Sequence, residues 1–184
     1  MSRKRPFRVR VLGAGTLYES ALNTLQAHDC EIVYEGQRTR KKIDLLVLAA
    51  YTRILPRAEY ERYPLGALCF HPSLLPRHRG RDAVYWTVEQ GDNISGATWF
   101  WLDEGIDTGP IAIQRGFGRP IPLNTSRGAL YYDYLVPLGA RLFSELLPRL
   151  INGERPATPQ DDAYATYESP RPIPVSEPAH HATA

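Results

Sequence analysis

Cysteine is scarce in this chain: Cys30 and Cys69 are the only two among 184 residues. They lie too far apart to give a metal-ligand spacing, and no disulfide framework can be built on them. Long apolar runs are also missing, since no segment approaches the ~20 residues needed to span a bilayer. The basic start MSRKRPFRVRV has no apolar core of signal-peptide length before Gly13. A cytoplasmic, reduced, soluble protein with no membrane partner is therefore expected. Charge of one sign is nearly balanced, with a net value of +2, so no large nucleic-acid footprint is indicated. What remains is ordinary for a globular protein: 43% hydrophobic and 23% charged residues, in a length suited to one full domain. The cations are mostly arginine, gathered at 3–10, 38–42 and 77–81. Such clusters suit phosphate, through two-point hydrogen bonding, and serve equally well as a solvated face.

Residues 7–12 alternate apolar and basic and run into Gly13-Ala14-Gly15-Thr16, a strand entering a glycine turn. Leu17, Ala21, Leu22 and Leu25 follow at helical spacing. A turn of this kind can aim backbone N–H groups at an anion. As a dinucleotide fingerprint it has one match and one miss: Glu35 stands where a ribose-binding acid would, but Tyr18 occupies the third glycine position. Tight strand–helix packing explains the glycines as well.

Residues 31–34 read as a second short strand and 43–50 (IDLLVLAA) as a central parallel strand covered on both faces. The polar link 35–42 is shorter than a helical crossover requires. The second strand is thus either an abbreviated edge or irregularly connected. One or two helical turns follow at 57–62, and a helix from Asp82 stops at Gly91. Strands are expected at 97–102 and 110–114, then a long helix capped by Asn124 or Thr125. That helix carries Leu135, Leu138, Leu142 and Leu146 on one face, bends at Pro137 and Pro148, and stops at Asn152-Gly153. Beyond Glu154 the chain is proline-rich, without a core-forming pattern from 171 to 184.

The centre of the sequence is 69–80, CFHPSLLPRHRG. An apolar run ends at His71, and Pro72, which lacks the N–H a ladder needs, stops the strand there. His71 then sits at a strand's C-terminal edge, where open α/β sheets bind ligands. Asp107, in the turn DEGIDTGP, is the second candidate. An aspartate beside a histidine fixes its tautomer and favours its protonated form, the logic of a general acid/base pair.

These two motifs resemble the formyltransferases that use 10-formyltetrahydrofolate, which include methionyl-tRNA, glycinamide ribonucleotide and sugar N-formyltransferases. The resemblance extends to 48–55 (LAAYTRIL), 91–98 (GDNISGAT) and, more loosely, 159–167 (PQDDAYATY). It implies a Rossmann-like α/β fold: a mostly parallel sheet with helices on both faces and one antiparallel strand, abbreviated in its N-terminal half. The catalytic domain is expected at 6–153. A Pro-rich tail at 154–184 would pack its first part, to about 170, back on the domain.

The resemblance also implies an Asn-x-His…Asp catalytic set, matched by His71 and Asp107 but with Cys69 at the Asn position. An S–H is a weak donor where an amide is a good one, and losing one oxyanion donor typically costs about a hundred- to a thousand-fold. Three readings of Cys69 stay open: an adapted site with other donors, an inactive folate-binding relative, or a thiol that takes the formyl group transiently. The pterin is implied at Leu48, Ala49, Tyr51, Arg53, Ile54 and Leu55, and at Asp103, Gly105 and Ile106. The amine substrate is implied near Gly13, Gly15, Thr16, Ser73, Arg77 and Arg79. No metal is implied.

The turn at 14–16 is closer to the tRNA and sugar branches than to the purine branch, whose phosphate loop has an Asn where Leu17 stands. The residues after 167 offer no pattern expected of an RNA-binding module. The expected reaction is therefore formyl transfer to a small amine, either an amino sugar on a nucleotide or an amino-acid-like metabolite. Hydrolysis of formylfolate and folate or nucleotide binding without catalysis are the alternatives, and a homodimer is compatible with the sequence.

Overall fold

A computed structural model describes residues 5–122 and 124–168; the expectations for 1–4 and for the tail from 169 onward lie outside the described residues. Six strands form one sheet in the order β2-β1-β3-β4-β5-β6. They are β1 Arg8–Gly13, β2 Glu31–Val33, β3 Leu45–Ala49, β4 Ala67–His71, β5 Gly96–Trp101 and β6 Ile111–Gly116. The first four run parallel, while β5 pairs antiparallel with both β4 and β6. β5 is thus the one reversed strand.

The edge strand β2 has only three residues, and no helix lies between it and β3. Both readings of this region hold together, because a three-residue edge needs little covering. Its link is tied down instead by charge: Glu31 accepts from Arg8 Nε at 2.7 Å and from Lys41 Nζ at 2.8 Å. Glu35, placed where a ribose-binding acid would be, is an exposed partner of Arg53.

Period-two alternation divides the sheet into two unequal faces. One packs Val9, Val11, Leu45, Val47, Leu68, Phe70, Trp99 and Trp101 against Leu17, Ala21 and Leu25 of α1 (Gly15–Ala27) and against α5 (Val136–Ile151). From α5 come Leu142, Phe143, Leu146 and Leu150, all fully buried. Burying one such side chain contributes about 1.5–3 kcal/mol. The other face holds a smaller cluster, Leu46, Leu48 and Ala67 under Tyr60 and Tyr63. Beside it lies the single turn α2 (Arg57–Tyr60). Helix α3 (Ala83–Glu89) follows the loop after β4.

The long C-terminal helix begins one residue later than its expected caps. Ser126, not Asn124 or Thr125, accepts the Ala129 N–H at 3.1 Å and opens α4 (Arg127–Ala129). A π-helical turn, Leu130–Leu135, then leads into α5, with the Val136 N–H bonded to Tyr131 O. Pro137 lacks an N–H and its ring would crowd the preceding turn, so widening the turn just before it is a local solution. The helix closes with the Glu154 N–H on Arg149 O at 2.9 Å, just past Asn152-Gly153.

Residues 154–168 lie across the end of the sheet. Thr158 and Ile111 exchange two backbone hydrogen bonds of 2.8 Å. Trp101 Nε1 donates to Pro156 O at 2.7 Å, and the Arg155 guanidinium stands 4.3 Å over the Trp101 ring.

Candidate active site

Cys69 and His71 sit two apart on β4, so both side chains leave the sheet on its less covered face. β3 and β5 flank them, with Cys69 opposite Leu48 and Phe100 and His71 opposite Thr98. Thr98 is buried and donates to Ser73 O at 2.7 Å, which folds the chain sharply after Pro72. That fold returns His78 to the end of β4. With φ at +55°, His78 turns its carbonyl onto His71 Nε2 at 2.7 Å. A carbonyl only accepts, so Nε2 carries the proton.

The other ring nitrogen faces Asp107: Nδ1 lies 3.4 Å from Oδ2. The DEGIDTGP turn is built to deliver that carboxylate. Asp103 Oδ1 accepts from Gly105 N at 3.1 Å and from Thr108 Oγ1 at 2.6 Å, closing the loop on itself. Gly109 passes so near the Trp101 carbonyl that a Cβ there would collide with it. Asp107 has φ at +55°, and its Oδ2 accepts the Gly80 N–H at 2.7 Å.

His71 is 5% exposed. Burial pushes its pKa below the usual histidine range, against the opposing pull of the Asp107 charge and the His78 carbonyl. The ring therefore rests neutral, with a lone pair on Nδ1. A separation of 3.4 Å is longer than a made N–H···O⁻ bond and suits that state. Adding a proton at Nδ1 would create an imidazolium–carboxylate pair, so His71 and Asp107 form a ready proton acceptor.

Cys69 belongs to the same environment. Its Sγ donates to the Phe70 carbonyl at 3.7 Å. Burial raises its pKa far above the ordinary thiol range, and the Asp107 charge raises it further. Cys69 is a thiol rather than a thiolate, which argues against a nucleophilic role.

Tyr51, Arg53, Ile54 and Leu55 line a cavity of about 330 Å³ beside α2, together with Arg10, Leu12 and Tyr63. Leu48 and Ala49 do not reach it; both side chains are sealed in the core of β3. Asp103 and Gly105 shape the Asp107 loop, as described above. Arg57 pairs with Glu104, which brings that loop against the start of α2. Ile54 and Ile106, on the two loops so joined, are 86% and 56% exposed.

A second cavity, also about 330 Å³, opens directly on His71 and is lined by Gly80, Tyr85, Arg127 and Tyr131. Arg127 lies 5.0 Å from the centre of the Tyr85 ring.

Of the residues implied for the amine, Gly13, Gly15 and Thr16 form the turn into α1 at the sheet's C-terminal edge. Gly13 is required there, because a Cβ would strike Ala49 O. The other three are engaged by neighbouring protein groups. Ser73 is fully buried and its hydroxyl donates to Arg77 O at 2.6 Å. Arg77 grips both oxygens of Asp92 at 2.8 Å. Arg79 is 2% exposed and is engaged by Gln160, Asp162 and Tyr167. These side chains help build the loop.

Sequence reasoning passed over His78, Thr98, Tyr85, Arg127 and Gln160. Gln160 lies in PQDDAYATY, so a signal for it was on view. For His78, the same RHRG string that drew attention to the arginines contained it.

A family model described as "Formyl transferase" matches residues 14–124. Methionyl-tRNA formyltransferase of Aromatoleum aromaticum is 44% identical over 124 residues, covering 67% of this chain and 38% of that protein. Mouse mitochondrial 10-formyltetrahydrofolate dehydrogenase is 39% identical over 125 residues, 68% of this chain and 13% of that protein. The chain thus spans well under half the length of these relatives. Among solved structures, the Helicobacter canadensis N-formyltransferase in complex with folinic acid and dTDP-3-aminofucose has a TM-score of 0.73 at 19% identity. It covers 88% of this chain and 70% of that one. HypX from Aquifex aeolicus in complex with tetrahydrofolic acid gives 0.75 at 20% identity, over 89% of this chain and 30% of its own. A fold of this kind, His71 and Asp107 in their two motifs, and a family match over most of the sheet lead to one assignment: the chain belongs to the formyl transferase family.

Proposed function

We propose that this protein transfers a formyl group from 10-formyltetrahydrofolate to the amine of a small molecule, with residues 6–153 as the catalytic unit. The observation that carries the reading is the pair formed by His71 Nδ1 and Asp107 Oδ2 at the sheet's C-terminal edge, beside a cavity. The folate supplies the formyl carbon and leaves through its N10.

The loops at 51–55 and 103–107 hold the pterin, with Ile54 and Ile106 covering its faces. The amine enters the cavity by Tyr85 and Arg127 and attacks the formyl carbon. Asp107 accepts the amine proton and shares it with His71. The resulting imidazolium charge steadies the oxyanion, and the same pair returns the proton to N10 as the carbon–N10 bond breaks. Cys69 lends a weak S–H donor where the family carries an amide. No step needs a metal.

An amino sugar carried on a nucleotide is the acceptor class we favour. It is supported by the solved sugar N-formyltransferases, one of which holds dTDP-3-aminofucose. Incubation with 10-formyltetrahydrofolate and a panel of amino sugars and simple amines tests the proposal. Formyl loss that depends on an amine is expected. Equal loss without any amine would mean hydrolysis, and binding without loss would mean a non-catalytic relative.

A further inference from the structure

His71 ends β4 and Asp107 lies in the turn after β5, and the two segments meet directly where Asp107 Oδ2 accepts the Gly80 N–H at 2.7 Å. A third segment, residues 158–168, touches both. Gln160 Nε2 donates to the carbonyl of Asp107 itself at 2.8 Å and to Gly109 O at 2.7 Å. Its Oε1 accepts from Arg79 Nε at 3.0 Å and from Nη2 at 2.9 Å. One amide therefore ties the Asp107 turn to the residue after His78.

The far end of the segment holds His78. Thr166 Oγ1 accepts the His78 N–H at 2.8 Å, and Thr166 O accepts the Arg79 N–H at 2.9 Å. The buried His78 ring is set between Asp92 Oδ2 at 2.8 Å and Glu168 Oε1 at 3.2 Å. His78 presents the carbonyl that fixes the His71 ring. Residues 158–168 thus hold both the backbone of Asp107 and the residue whose carbonyl orients His71, in addition to the direct bond between Asp107 Oδ2 and the Gly80 N–H.

We propose that residues 158–168 form a brace that sets the geometry of the His71–Asp107 pair, with Gln160 as its positioning residue. This rests on the catalytic reading of that pair. Gln160 touches no reacting atom; it acts through the Asp107 backbone and Arg79. Removing its two N–H donors frees the turn to shift, and a misplacement of about 1 Å in a catalytic group costs about a hundred-fold.

The test is a cycle of Gln160→Ala and Asp107→Asn, read as kcat and KM for the folate. Gln160→Ala is expected to lower kcat about ten- to a hundred-fold with KM changed less than about two-fold. In the Asp107→Asn background the same substitution should cost less than about two-fold, because the geometry it guards is already lost. Equal losses in both backgrounds would show general damage and overturn the proposal, as would an unchanged kcat. Should Gln160→Ala fail to fold, Gln160→Glu keeps the volume and the contact with Arg79 while losing both donors, and the same outcomes decide.

A substrate-free arm separates this proposal from the catalytic reading. The His71 ring, assigned by His71→Ala, is titrated by NMR; the titratable and charged groups facing it are Asp107, His78 and Cys69. Gln160→Ala should move the His71 midpoint in the wild-type background and leave it unmoved beside Asp107→Asn. A midpoint unmoved in both would sink the brace even if transfer is seen. A moved midpoint with no transfer would sink the catalytic reading and leave the brace standing.

Discussion

The two faces of the sheet are made from the same strands and have opposite character. On β4, Leu68 and Phe70 point into the core under α1 and α5, while Ala67, Cys69 and His71 point to the thinly covered side. The first face is closed by a 16-residue helix; the second has one helical turn, loops and cavities. Alternation along a single strand thus separates stability from chemistry. A substitution two residues from His71 can change the reaction, while one a single residue away changes the fold.

The largest effect expected on the second face is that of His71→Ala or Asp107→Asn. Each should lower kcat/KM by about a hundred- to ten-thousand-fold, the usual scale of acid–base catalysis. Melting temperatures should stay near wild type, checked by calorimetry beside the rate assay. A loss of folding in step with activity would break the comparison between faces.

Phe143→Ala makes the converse test. Phe143 is fully buried and its ring centre lies 5.1 Å from that of Trp99. Truncation should cost about 3–5 kcal/mol of stability. At a temperature where the variant remains folded, kcat per folded molecule should be that of wild type. Urea unfolding and active-site titration together measure this.

The pH dependence of stability sharpens the contrast. His71 is buried neutral and its pKa is lowered, so between its folded and unfolded values the unfolded chain binds the extra proton. Stability should therefore fall as pH drops below about 6.5, the unfolded histidine value. It should level off once the folded site also protonates. His71→Ala should remove this slope, read from urea midpoints between pH 5 and 7.5; an unchanged slope would assign it elsewhere.

Cys69 should give the smallest effect. Cys69→Ala should cost less than about three-fold in kcat, because S–H is a poor donor to begin with. Cys69→Asn should be equal to or faster than wild type. The larger side chain enters a packed strand end, where overpacking costs roughly 1–3 kcal/mol, so its melting temperature belongs beside its rate. A folded, folate-binding Cys69→Asn that is dead while wild type turns over would reject the weak-donor role.

Much of this arrangement was legible because it is local. Pro72 ends β4, alternation puts Cys69 with His71, and the leucine spacing of 135–146 marks the helix, although Leu138 is only half-buried. A mostly parallel sheet with one antiparallel strand followed from the family resemblance, while the strand order and the identity of the reversed strand did not. What could not be read depends on contacts between distant segments. Arg79 looks like a solvated or ligand-binding cation in sequence, and becomes buried only because residues 160–167 fold over it. His78 has no local signal for the carbonyl it turns onto His71. Ser126 won the helix cap over its neighbours through the geometry of the entering chain, which composition does not encode.

The central claim is that His71 and Asp107 work as one unit. A double-mutant cycle on kcat/KM for formyl transfer, with His71→Ala, Asp107→Asn and the double variant, tests it most directly. Groups that act together lose nearly everything on the first substitution. The double variant should therefore be within about three-fold of the weaker single variant, a margin that falls well short of additive losses. A double variant whose loss is the product of the two single losses would show that the residues contribute independently and would contradict the account.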